Sequence, residues 1–177
     1  DQPLGVADIL RESRAAARAI GDGLRHQVYD ALRHLAQGFL DYRHNRLQPD
    51  SATLKLIYDN SLTVLYRPLF VLYAEVRELL PLRASPAYQR DYSLTALARE
   101  VADRLDGNRT LIPTGSRLWA RLRDLCEMIN EGNPPLQVAT FNGGLFDPER
   151  HPFLAQHTVG DARLARAIDL LTRIDHA

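Results

Sequence analysis

The chain has 177 residues, 45% of them apolar and 25% charged, with 22 basic side chains against 22 acidic ones. That length suits one domain with a full core, and zero net charge excludes a global field drawing the chain to DNA or an anionic membrane. Cys126 stands alone, which excludes an internal disulfide and points to a reducing, cytoplasmic compartment. In chain order, residues 6–20 read as a short Ala- and Arg-rich helix. Gly21-Asp22-Gly23 is expected to break it, with Asp22 as an N-cap for a second helix. That second helix, over residues 24–42, carries a stripe of Leu24, Val28, Leu32, Leu35, Phe39 and Leu40. A polar connection covers residues 44–49. Asp50 or Ser51 then caps a helix bearing Leu54, Ile57 and Tyr58, expected to run straight into the next stretch.

Residues 62–82, LTVLYRPLFVLYAEVRELLPL, organise the rest. Leu62, Leu65, Tyr66, Leu69, Phe70, Tyr73, Val76 and Leu80 fall in steps of three and four, one stripe of an α-helix. Val71, Leu72 and Leu79 widen it over most of the circumference, so a helix surrounded by others is expected. Arg67, Glu75, Arg77 and Glu78 exclude a membrane span, and Pro68 removes a backbone donor and should kink the helix near Val64 and Leu65. Leu65, Leu69, Phe70 and Tyr73 are its expected core residues.

Pro81, Ser85 and Pro86 mark a loop. Ser93 reads as the N-cap of a helix with Leu94, Leu97, Val101 and Leu105, ended by Asp106-Gly107. Thr114 or Ser116 starts the next, with Leu118, Trp119, Leu122, Leu125, Cys126 and Ile129, closed by Gly132. Residues 133–151 form a long Gly/Pro-rich loop with a short extended piece at residues 136–140. Asp161 caps a last helix bearing Leu164, Ile168, Leu171 and Ile174. The sum is an all-α fold: roughly six or seven helices in one domain, bundled around a buried, kinked central helix.

Chemistry is sparse. Asn133-Pro134-Pro135-Leu136 resembles the Asn-Pro-Pro-aromatic turn of amino-methyltransferases, but Leu136 stands where a flipped base would stack. Phe141-Asn142-Gly143-Gly144 lacks the glycine spacing of an S-adenosylmethionine loop and the βαβ unit such a loop opens. A Gly/Pro loop is the plainer reading, with Gly143 and Gly144 supplying positive φ angles. Lys55, the sole lysine, has Thr53 two residues before it, so the acid-x-lysine core of a metal-dependent nuclease is absent. The other basic residues are all arginine, a bias that reads as coding composition. His26, His34, His151 and His157 lack the company of metal ligands. Arg67 and Glu75 are expected as a buried ion pair with neighbouring helices. Arg117, Arg121 and Arg123, and also Arg11, Arg14 and Arg18, would meet DNA phosphates, or else form a solvated face balanced by Asp124, Glu127 and Glu12.

Four phrases recur together in one order: LKLIYDNSLTVLYRPLFVLYAEVRELLPL at 54–82, YSLTALAREV at 92–101, LWARLRDLCEMINEG at 118–132 and FNGGLFDPERHPFL at 141–154. They resemble the helical region before the methyltransferase core of type IIG restriction–modification enzymes and related adenine-specific DNA methyltransferases of phage-defence systems. The resemblance runs from Gln27 to the end. Its most specific piece is Asn142-Gly143-Gly144-Leu145-Phe146-Asp147 followed by His151-Pro152-Phe153-Leu154. Pro68 departs from it, where the family more often has an aliphatic residue.

The resemblance implies a non-catalytic connector, consistent with a chain that opens Asp1-Gln2-Pro3 without methionine, as a fragment would. Neither catalytic half falls within these residues. S-adenosylmethionine, with Mg where an endonuclease domain is fused, is implied for the parent and no cofactor for the fragment. The implied partners are DNA and the methyltransferase and target-recognition domains of the same chain, with no membrane. The rival readings are a helical protein–protein interaction module and a stand-alone DNA-backbone-binding domain. Asn142, Gly143, Gly144 and Phe146 are expected to form a structured loop.

Overall fold

A computed structural model describes the backbone of residues 6–109, 111–141 and 143–173, with side chains from Gly23 onward. The fold is all-α: α1 (Val6–Asp41), α2 (Ser51–Val76), α3 (Leu94–Asp106), α4 (Arg117–Glu131), α5 (Pro152–Gln156) and α6 (Asp161–Thr172). The described residues contain no strand, only an isolated bridge between Asn133 and Val138 where the extended piece was expected. No described helix is long and apolar enough to cross a membrane.

The expected break at Gly21-Asp22-Gly23 does not occur, because α1 runs through it. Each interior glycine costs about 0.5–1 kcal/mol. Starting a second helix would carry its own nucleation penalty, and the residues beyond are anchored, so propagation wins. That anchor is α6, the most extensive partner of α1. Gly38 makes the approach possible: a Cβ there would lie 2.5 Å from Val159 Cγ1. Ala31, Leu35 and Phe39 are buried, and Phe39 meets Trp119 and Phe153 edge-on at 5.7 and 5.3 Å. Leu24, at the far end of the expected stripe, is exposed instead.

Asp50 caps α2 by accepting from Thr53 N at 2.9 Å, and the helix continues through Pro68 to Val76, as one element. It ends sooner than the apolar pattern does. Glu78 turns left-handed at φ 58°, and Leu79 and Leu80 donate back to the Ala74 carbonyl, terminating the helix ahead of Pro81. Helices α1, α3, α5 and α6 all touch α2. Its wrapping is incomplete, however. Leu65 is buried and Leu69 and Phe70 are partly so, whereas Tyr73 is 58% exposed, Val76 78%, and Tyr66 and Leu79 also face solvent. Three-four spacing cannot tell a core stripe from a second, uncovered one when both are apolar.

Helices α3, α4 and α6 lie where the sequence places them. Ser93 caps α3 through Ala96 N at 3.1 Å, and Gly107 closes it. Gly132 ends α4 at φ 81°, where a Cβ would crowd Thr140 Oγ1 at 2.6 Å. Asp161 departs from expectation. It is the first residue of α6, with Gly160 at the cap position, and its carboxylate caps α4 by accepting from Arg117 N at 3.0 Å and Leu118 N at 2.9 Å.

Candidate functional site

Helices α3 and α4 bring an arginine cluster together. Arg117 and Arg121, one turn apart on α4, both reach Glu100 of α3, and Arg104 reaches it from one turn along α3. Arg104 Nη2 lies 2.9 Å and Arg117 Nη2 3.8 Å from Glu100 Oε1, while Arg121 hydrogen-bonds Oε2. Burial pushes the Glu100 carboxyl up, but the Arg121 hydrogen bond and the charges of Arg121, Arg104 and Arg117 outweigh it and hold the group below its ordinary value. Arg99, Arg109 and Asp103 line the groove alongside Glu100. Arginine therefore outnumbers carboxylate on this face, although the chain as a whole is neutral.

Arg123 does not join them. Two residues past Arg121 is more than half a helical turn, so it lies on the opposite flank of α4. There it lines a cleft with Arg67, Cys126, Glu127, Phe146 and His151, of about 190 Å³. The side chains of Arg11, Arg14 and Arg18 lie outside the described residues, as does Asn142.

The loop after α4 is built by its own side chains. Asn133 Oδ1 accepts from Leu136 N at 3.1 Å, closing a 3₁₀ turn over Pro134–Leu136. That spends the polar group which a base-binding Asn-Pro-Pro turn would present. Phe146 is buried, and Phe141 and Phe146 both meet Phe70 of α2 edge-on at 5.7 and 5.3 Å. His151 Nε2 lies 2.9 Å from Gly144 O, and Asp147 accepts from Glu149 N at 2.9 Å. Gly144 does not adopt the expected positive φ. A Cβ there would meet the exposed Arg150 side chain, Nη1 at 2.8 Å, which can swing aside. Gly143 has open space around it.

Arg67 and Glu75 are both buried but do not pair with each other. Arg67 Nε donates to Leu145 O at 2.9 Å, tying α2 to this loop. Glu75 accepts from Leu94 N, Thr95 N, Thr95 Oγ1 and Tyr88 Oη. Sequence reasoning singled out both residues and missed their targets. It also missed Glu100, whose neighbours come from two helices. The only available signal was its spacing of four from Arg104.

The fold and these surfaces define an all-α domain with an arginine-rich groove along α3, reached by Arg117 and Arg121 of α4 through Glu100, and a small cleft between α2, α4 and the loop. No family model, curated protein or solved structure matches the chain.

Proposed function

We propose that this chain is a non-catalytic helical connector of a DNA restriction–modification enzyme. Its parent would transfer a methyl group from S-adenosylmethionine to adenine N6, with a Mg-dependent endonuclease in some arrangements. The resemblance of four ordered segments supports the parent class. The observation that carries the chain's own part is the convergence of Arg104, Arg117 and Arg121 on one carboxylate. Glu100 neutralises one charge and holds the guanidinia in place, leaving a fixed positive excess suited to a phosphate backbone. Arg117, the most exposed of the three, is the leading contact. Arg123 belongs to the other flank and contributes little.

Duplex binding by the chain across a salt series tests this. Replacing Arg117 and Arg121 with glutamine should flatten the log–log salt dependence by about 0.9 per lost phosphate contact. An unchanged slope would remove the DNA contact. Methyl transfer from labelled S-adenosylmethionine, assayed with the parent and with this chain side by side, tests the class. Label in DNA from this chain alone would overturn the connector reading.

A second reading, a helical interaction module, has its own observation. Tyr66, Tyr73 and Val76 expose an apolar strip on the C-terminal half of α2, with Arg77 over the Tyr73 ring at 5.9 Å. In a connector, such a strip is where a neighbouring domain of the same chain would seat.

A further inference from the structure

Arg67 is 8% exposed and forms no ion pair with any described residue. A buried cation without a counter-ion is costly, and the surroundings do little to relieve it. Burial draws its pKa down, offset in part by the neighbouring Cys126 thiol, whose own pKa burial pushes up to about 11. Of the five N–H donors on a guanidinium, only that on Nε has an oxygen acceptor among the described residues, the Leu145 carbonyl. Its terminal nitrogens are not sealed. Ser61 Oγ is the only fully enclosed side-chain polar atom without a partner among the described residues, so these nitrogens retain some exposure, and their residue lines the cleft.

The cleft has a definite polarity. Arg67 and Cys126 form its floor, Phe146 and Leu154 are apolar walls, and Arg123, Glu127 and Glu131 stand on α4 at its exposed mouth. Neither glutamate has an ion-pair partner among the described residues. A cation at the floor calls for an anion, the walls for hydrocarbon, and the two mouth carboxylates outnumber the single Arg123 cation there, which disfavours a doubly charged guest. The volume of about 190 Å³ falls below the ~300 Å³ at which pockets for drug-sized ligands begin.

We propose that this cleft binds a small monocarboxylate with an apolar body, its carboxylate on the terminal nitrogens of Arg67 and its hydrocarbon part against Phe146 and Leu154. The site shares no residue with the Glu100 groove, so it stands or falls independently of DNA binding.

The experiment titrates the chain with straight-chain carboxylates from acetate to hexanoate, and separately with inorganic phosphate. Binding is followed by calorimetry and by the ¹⁵N signal of Arg67 Nε–H. The expected result is saturable binding that strengthens by up to about fourfold per added methylene until the cleft is full. Phosphate should bind more weakly than butyrate, and Glu127→Gln with Glu131→Gln should narrow that gap. Ala155→Phe fills the cleft from its wall without touching Arg67, and should weaken hexanoate binding about tenfold or more. Arg67→Lys, which keeps the charge and loses the fork, should weaken every carboxylate. An unmoved Arg67 signal with all carboxylates would overturn the proposal. So would phosphate binding as tightly as butyrate, or a folded Ala155→Phe chain with undiminished affinity.

Discussion

The carboxylate of Glu75 on α2 accepts the backbone N–H of Leu94, the first residue of α3, at 2.7 Å. The same carboxylate takes Thr95 N at 3.0 Å, Thr95 Oγ1 at 2.6 Å and Tyr88 Oη at 2.9 Å. This carboxylate is 1% exposed, and no cation among the described residues pairs with it. It is held by donors and by the positive end of a helix.

Glu75→Gln keeps the shape and loses the charge, turning one acceptor oxygen into a donor that faces N–H groups. We expect a loss of about 3 kcal/mol in urea unfolding, because buried donors are left unmatched. Tyr88→Phe removes only one of the four bonds and should cost about 1–1.5 kcal/mol. If Glu75→Gln costs no more than Tyr88→Phe, the charge has no special role.

Asp161 gives the matching experiment at α4. Asp161→Ala leaves Arg117 N and Leu118 N without their acceptor and should destabilise by about 1–2 kcal/mol. Ser116→Ala should be close to neutral, since the Ser116 side chain makes no cap hydrogen bond. Thermal unfolding of the two variants separates these roles, and equal losses would contradict the assignment.

Those two carboxylates also mark where sequence reading stops. Helical periodicity located α2, α3, α4 and α6, and the turn chemistry of Asp50, Ser93, Gly107 and Gly132 set the starts of α2 and α3 and the ends of α3 and α4. Such signals are local, and so are the structures they specify. Asp161 reads as a cap from its residue type, but the helix it caps lies 43 residues back, at Leu118. Tyr73 reads as core from its spacing, and nothing in its neighbourhood along the chain says that no helix covers it. The arginine groove was half legible. Arg117 and Arg121 share a face by their spacing, while the inclusion of Arg123 ignored helix geometry, and Glu100 needed the placement of α3 within side-chain reach of α4.

Ser61 is fully buried in α2 and its hydroxyl has no partner among the described residues. Ser61→Ala removes the unsatisfied group without leaving a large void. It should leave stability unchanged or raise it by up to about 1 kcal/mol. A loss above that size in chemical denaturation would mean that the hydroxyl has a partner after all.

Acid should loosen the arginine groove. The folded Glu100 carboxyl titrates below its ordinary value of 4.5, so its contribution is fully present above that pH. It disappears as the pH falls through the lower, folded value. Glu100→Gln should therefore lower stability at neutral pH and flatten the decline below pH 4.5. The same variant leaves the arginines uncompensated and should tighten duplex binding at low salt. An acid limb unaltered by Glu100→Gln would show that its pairing does not contribute to stability.

The capping arrangement bears finally on how the chain acquires its structure. Helix α3 is capped partly from α2, and α4 from the first residue of α6, so the start of α4 lacks its acceptor until the segment that follows it has docked. Asn45 adds a tie of the same kind, bonding the Thr158 carbonyl at 2.7 Å and the Thr158 N–H at 2.8 Å. Such long-range closure makes for late, concerted assembly, because loop-closure entropy is spent before the contacts that repay it form. The helices are then interdependent parts of one folding transition, and cleavage between α5 and α6 should release the start of α4 along with the last helix.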